Sequence, residues 1–170
     1  SKRVVEVTKS LAQYFRLALN QGHEQISLKD EIDHVRQYLF IQKQRYGDKL
    51  QYAIEEDQSI ADYKLPKLVL QPLVENAIYH GIKEIDRQGM IRVTSAAEEG
   101  QLILSIYDNG RGFELRDSTD MTLPRLGGVG LKNVDQRLRL QFGDDYHMEI
   151  QSEPDKFTRI SLYLPLVTDD

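Results

Sequence analysis

The sequence contains no cysteine. That excludes disulfides, thiolate metal sites and a cysteine nucleophile. No apolar run approaches the ~20 residues that a bilayer-spanning helix needs, and no secretory apolar segment follows Ser1-Lys2-Arg3. There is no Lys/Arg tract, and the formal net charge is −5. Both speak against a nucleic-acid binder held by phosphate neutralisation. Internal repeats and low-complexity stretches are missing too. What is present is 40% hydrophobic and 29% charged residues, enough for a real core under a soluble surface. A length of 170 residues suits one domain, or one domain with a helical appendage.

Apolar spacing at Val4, Val7, Leu11, Tyr14, Phe15, Ala18 and Leu19 predicts a helix over residues 4–20, ended by Asn20-Gln21-Gly22. Ser27, followed by Asp30 and Glu31, reads as the cap of a second helix that runs to Tyr46 and stops at Gly47-Asp48. Beyond Gly47 the pattern changes. Strands are predicted at 50–54, 90–95, 102–107, 148–152 and 158–164, with a turn near Glu99-Gly100 and helices at 66–82 and 131–142. Pro72 is read as the start of the main helix after a short turn at Lys67–Gln71. Residues 113–130 carry Pro124 and three glycines and read as a long loop of the kind that forms lids. The predicted class is α+β: a two-layer sandwich of a mixed, mostly antiparallel sheet, covered by helices on one face and preceded by a helical hairpin.

On a wheel of about 100° per residue, Leu70, Leu73, Val74, Ala77, Ile78 and Ile82 share one side. Glu75, Asn76, Tyr79, His80 and Lys83 fall within an arc of about 140° on the other. A solvated helix face is the bland explanation. Against it, asparagine is a poor helix-interior residue, and the arc gathers types suited to a metal–phosphate site. An amide oxygen can ligand Mg²⁺, which takes few protein ligands; His and Lys can donate to phosphates; a carboxylate can deprotonate a nucleophile.

Two glycine motifs follow. Tyr107-Asp108-Asn109-Gly110-Arg111-Gly112 closes an apolar strand, and its glycines let backbone approach a ligand, although Asp/Asn-Gly is also a common turn. Gly127-Gly128-Val129-Gly130-Leu131 opens a helix, where free N–H groups suit phosphate. It is neither a P-loop nor a dinucleotide fingerprint.

The order of these features resembles the ATPase fold shared by gyrase B, the heat-shock-90 chaperones, MutL and histidine kinases. Leu73-Val74-Glu75-Asn76-Ala77-Ile78-Tyr79-His80 is similar to the N box, and the two glycine motifs are similar to the glycine boxes. Leu70-Gln71-Pro72, with the stretch from His34 to Leu50, narrows the resemblance to LytS/YesM-type sensor histidine kinases.

The resemblance implies that ATP and Mg²⁺ are used, that Asn76 ligands Mg²⁺, that Glu75 is the general base or polariser, and that His80 and Lys83 contact phosphates. It implies that Asp108 accepts from the adenine amino group with support from Thr158, and that Gly110, Gly112, Gly128, Val129, Gly130 and Leu131 wrap the nucleotide. Arg111 or Arg125 would reach phosphates. It further implies a helical segment at 1–47, an ATP-binding domain at 48–170 with a lid at about 113–127, and transfer of the γ-phosphoryl group to a histidine outside this sequence. The partners would be the phosphoacceptor helix of the parent kinase, a response regulator and a second copy, and not nucleic acid. The domain would be cytoplasmic and the parent membrane-anchored.

Where many histidine kinases carry Asn, Lys and Gly, this sequence has Pro72, Tyr79 and Phe157. None of its four histidines lies in the family's acceptor motif. His23 reads as a loop residue, His34 as structural or surface, and His147 as part of a strand. An ATPase or serine kinase of the same fold, or a non-catalytic interaction module, are the alternatives.

Overall fold

The computed structural model describes residues 1–18, 24–115 and 129–166. Helix α1 (Lys2–Ala18) and helix α2 (Leu28–Tyr46) form the expected antiparallel hairpin. Arg3, at the start of α1, donates to Gln44 Oε1 at 2.8 Å near the end of α2. Ser27 caps α2, its Oγ accepting from Asp30 N at 3.1 Å. This puts the hydroxyl where an orphan first-turn N–H needs a partner. Among the described residues, no helix is long and apolar enough to cross a membrane.

Between them lies β1 (Gln25–Ser27), which pairs antiparallel with β3 (Lys64–Pro66) in a small two-stranded sheet. The main sheet has five strands: β2 (Leu50–Glu55), β4 (Gly89–Glu98), β5 (Gln101–Asp108), β6 (His147–Glu153) and β7 (Phe157–Pro165), in the order β2-β4-β5-β7-β6. Only β2–β4 is parallel. Parallel neighbours need a crossover, and the crossover here is the segment that carries the polar stripe. Glu99 and Gly100 both have positive φ, 50° and 78°, the conformation a two-residue hairpin turn between twisted strands requires.

Along β5, Leu102, Leu104, Ile106 and Asp108 point inward, while Ile103, Ser105 and Tyr107 point to the other face. The inner face carries α2, then α3 (Leu70–Asn76) and α4 (Val129–Phe142). Ile32, Val35 and Leu39 of α2, Leu73 and Val74 of α3, and Val134 and Leu138 of α4 join the sheet residues in one continuous core. The α+β sandwich is therefore as expected.

The crossover helix departs from expectation in two ways. It begins at Leu70, two residues before Pro72. Proline is accepted there because the first four N–H groups of a helix have no partner within it. After Asn76 the helix widens to π geometry over Ala77–Ile82, with Lys83 N bonding Ile78 O, five residues back. Such single-turn widenings recur at functional sites.

Candidate functional site

The apolar side of α3 and its π turn is buried as the wheel predicts: Leu70, Leu73, Val74, Ala77, Ile78 and Ile82 all lie in the core. The opposite side opens on a cavity of about 310 Å³ lined by Pro72, Glu75, Asn76, Tyr79 and His80, by Gly130 and Leu131 of α4, and by Tyr38 of α2. The N-box stripe and the start of the second glycine helix thus face one another across a space. Asn76 Oδ1 is buried and has no hydrogen-bond partner among the described residues. A buried amide oxygen left unpaired is costly, and it is the atom that would suit Mg²⁺. Glu75 is exposed, its Oε1 accepting from Gln71 Nε2 at 3.0 Å. His80 is half-buried, and burial, reinforced by the charge of Arg111, pushes its pKa down. Lys83 lies outside the lining, with its Nζ 4.5 Å from the centre of the Tyr79 ring.

Asp108 does not line this cavity either. It ends β5 fully buried behind Gly81, the residue after His80. Its Oδ1 accepts from Gly110 N at 2.9 Å. Burial pushes its carboxyl up to about 7, against the opposing effect of that hydrogen bond. Thr158 stands directly opposite Asp108 in the β5–β7 register, and its Oγ1 lies 2.9 Å from Ser152 Oγ.

The first glycine box is a tightly bound turn. Gly110 packs on the backbone of Gly81, where a Cβ has no room, and Arg111 N donates to Gly81 O at 3.2 Å. Gly112 has φ +56° and sits against the Glu153 carbonyl. Asn109 continues the ladder to β4, its Oδ1 accepting from Met90 N at 2.6 Å. Arg111 pairs with Glu84 at the rim. Gly128, Arg125, His23 and most of the expected lid fall outside the described residues, as does the Val129 side chain. His34 is buried in α2 and His147 opens β6.

Four residues that the sequence reading did not select hold this site. Gly81 is the first: a Cβ there would lie 2.5 Å from Asp108 Oδ1. A glycine inside a helical pattern costs about 1 kcal/mol against alanine, and that was its available signal. Gly81→Ala is expected to force the Asp108 carboxylate aside. It should lower stability by about 1–3 kcal/mol through overpacking, as read by denaturant titration. Arg87 is the second: its Nη2 donates to Asn109 O at 2.6 Å and to Asp155 O at 2.9 Å, tying the glycine turn to the β6–β7 loop. Tyr38 and Glu31 come from α2. Glu31 is a first-turn acid of α2, as the cap pattern implies, but it is fully buried, and its carboxylate accepts from the backbone of Leu68, Val69 and Leu70. Burial pushes its pKa up against those three hydrogen bonds and the charge of Arg137.

Residues 61–168 match the family described as histidine kinase-, DNA gyrase B- and HSP90-like ATPase, and residues 1–50 match the histidine kinase family. The sensor histidine kinase BtsS of Escherichia coli K12 is 37% identical over 165 residues, covering 97% of this chain and 28% of that protein. The sensor histidine kinase YesM of Bacillus subtilis is 32% identical over 166 residues, covering 96% and 28%. The chain therefore spans under a third of the length of these curated relatives. Among solved structures, the histidine kinase AdeS of Acinetobacter baumannii superposes with TM-score 0.62 at 15% identity, covering 95% of this chain and 77% of that one. The catalytic domain of the histidine kinase ThkA superposes with TM-score 0.60 at 14% identity, covering 85% and 97%. These two establish the fold, and the sequence matches establish the lineage. By the match over residues 61–168 and by these relatives, the chain belongs to the histidine kinase-, DNA gyrase B- and HSP90-like ATPase family, among its sensor histidine kinases.

Proposed function

We propose that the chain binds ATP with Mg²⁺ along α3, its phosphates in the cavity beside Asn76 and its purine toward the Gly81–Asp108 end, and transfers the γ-phosphoryl group to a histidine nitrogen outside residues 1–170. The observation that carries this reading is Asn76 Oδ1, a buried amide oxygen on the cavity wall with no partner among the described residues. One protein oxygen suffices for Mg²⁺, whose remaining positions take water and phosphate oxygens. Bound there, the ion would supply neutralisation of phosphate charge.

The chain's own groups do the rest. Asp108 accepts from the adenine amino group, with Thr158 supporting it from the opposing strand. Gly128 and Gly130, with the backbone of Val129 and Leu131, admit the nucleotide closely, while Gly110 and Gly112 let the turn after Asp108 pack on Gly81 and Glu153 so that it serves the purine side. His80, held neutral, donates an N–H to a phosphate oxygen, and Lys83 adds positive charge at the mouth. In the transfer, the lone pair of a neutral imidazole forms the N–P bond while the bond to the ADP oxygen breaks. Glu75, held by Gln71, takes the proton from the other ring nitrogen. Little covalent chemistry is asked of the protein; positioning is.

On this reading residues 1–47 are the end of the helical dimerisation region and 48–170 the catalytic domain, with its lid at about 113–127. The domain is cytoplasmic, within a membrane-anchored homodimeric parent. The phosphoryl group then passes to a response regulator. Calorimetry with ATP, ADP and GTP, with and without Mg²⁺, tests the binding. ATP should require Mg²⁺ for full affinity and GTP should bind at least about tenfold more weakly; equal affinities would overturn the assignment. Incubation with a histidine-bearing helix should give an acid-labile phosphoramidate, and an acid-stable ester would point to a serine kinase instead.

A further inference from the structure

The entrance to α3 has no cap of its own. Val69 stands at the N-cap position with no capping side chain, although the first N–H groups of a helix need acceptors. The acceptor comes from another helix altogether. Glu31 Oε1 takes Val69 N at 2.7 Å and Leu70 N at 2.9 Å, and Oε2 takes Leu68 N at 3.0 Å. From the opposite side, Arg137 of α4 donates to the carbonyls of Lys67 and Leu68. Leu68, gripped by both, sits at φ +59°, a left-handed conformation that a leucine holds only where its surroundings enforce it. One buried carboxylate on α2 and one guanidinium on α4 therefore fix a strained turn. That turn aims Pro72, Glu75 and Asn76 into the cavity within the next two helical turns. The other end of the same helix is anchored independently, by Gly81 against Asp108 and Gly110.

We propose that Glu31 is a positioning residue for the phosphate half of the nucleotide site. Through it, α2, in the hairpin ahead of the ATPase sheet, sets where Asn76 and Glu75 stand, while the purine half is set by β5 and Gly81. The proposal rests on the reading that this cavity takes nucleotide. It makes a prediction that a merely structural role does not: loosening the clasp should separate the two halves of the ligand.

Glu31→Gln keeps the shape, but with its amide oxygen on Val69 N and Leu70 N the new NH₂ is turned toward the Leu68 N–H, donor against donor. Glu31→Asp keeps the charge and shortens the reach. In calorimetric and NMR titrations of the 170-residue chain, run well below the unfolding temperature, Glu31→Gln should weaken ATP with Mg²⁺ by about tenfold or more. Adenosine, which lacks phosphates, should bind within about twofold of wild type, and Glu31→Asp should fall between. Wild-type chain that fails to bind ATP refutes the nucleotide assignment itself. Wild-type binding with an unaffected Glu31→Gln, or a proportionate loss of ATP and adenosine, overturns this proposal alone. Hydrogen exchange on the wild type decides the matter even if both variants misfold. The amides of Leu68, Val69 and Leu70 should be slowed further by ATP with Mg²⁺ and not by adenosine; equal or absent slowing would refute the clasp.

Discussion

Asp108→Asn should exchange one purine preference for another. The Gly110 N–H, 2.9 Å from Oδ1, will hold the amide oxygen of the variant. The new NH₂ then points where the wild-type carboxylate offers an acceptor. Facing the adenine amino group, it sets donor against donor in a buried place, at a cost of about 1–3 kcal/mol. That is about fivefold to 150-fold in ATP affinity. Guanine presents a carbonyl oxygen at the same edge, so GTP should gain. The wild type should also show a pH signature that the variant lacks. The Asp108 carboxyl is pushed up to about 7 from an ordinary 3.8, so between those values the folded chain binds more protons than the unfolded one. Stability from this group is then present at low pH and is lost as pH rises through about 7. Adenine binding needs the ionised acceptor and runs the other way. Its affinity should rise by about tenfold from pH 6 to pH 8, as the ionised share climbs from about one-tenth to about nine-tenths. Calorimetry at several pH values checks both trends. A flat wild-type profile, or a variant that still prefers ATP, would remove Asp108 from purine recognition.

Asn76→Ala should slow phosphoryl transfer severely while sparing the fold. Its amide oxygen has no partner among the described residues, so its removal breaks no known hydrogen bond. Alanine is the better helix former by up to about 0.7 kcal/mol. The melting temperature should hold steady or rise slightly. Phosphoryl transfer to a histidine-bearing helix should fall by about 10²–10³, the scale seen when one electrostatic contact to a reacting group is deleted, and ATP binding should lose its dependence on Mg²⁺. A variant that transfers normally would show that this oxygen does not serve the metal. A large loss of stability would show that the oxygen has a structural partner.

The stripe on the crossover helix was legible because its two faces differ in kind. Six apolar side chains had one place to go, and the polar arc was left to face open space. The glycine turn after β5 was legible as a place of close backbone approach, which Gly110 makes on Gly81, although Asp/Asn-Gly also serves ordinary turns; that Asp108 would lie behind Gly81 and off the cavity wall was not legible. The small β1–β3 sheet was not legible. Each strand has three residues, too short for any periodicity, and the pairing joins segments about forty positions apart. The start of α3 was misplaced because Pro72 looks like a boundary, whereas a helix tolerates proline anywhere in its unbonded first turn. Glu31 and Tyr38 escaped for a different reason. Both sit on a helix with an ordinary core-facing pattern, and their second role depends on how α2 lies against α3, which local sequence does not encode. Arg87 looks like any exposed arginine until three carbonyls are seen to converge on it.

The π geometry at Ala77–Ile82 sets an angular phase. One surplus residue lets everything before it turn by roughly 100° against everything after it. On the proposed reading, that offset lets the Asn76 amide meet phosphate while Gly81, within the widened turn, makes room for the Asp108 carboxylate. Restoring ordinary helical geometry across the stretch would leave Asn76 before it and Lys83 after it rotated out of step, like two correct gears meshed one tooth apart.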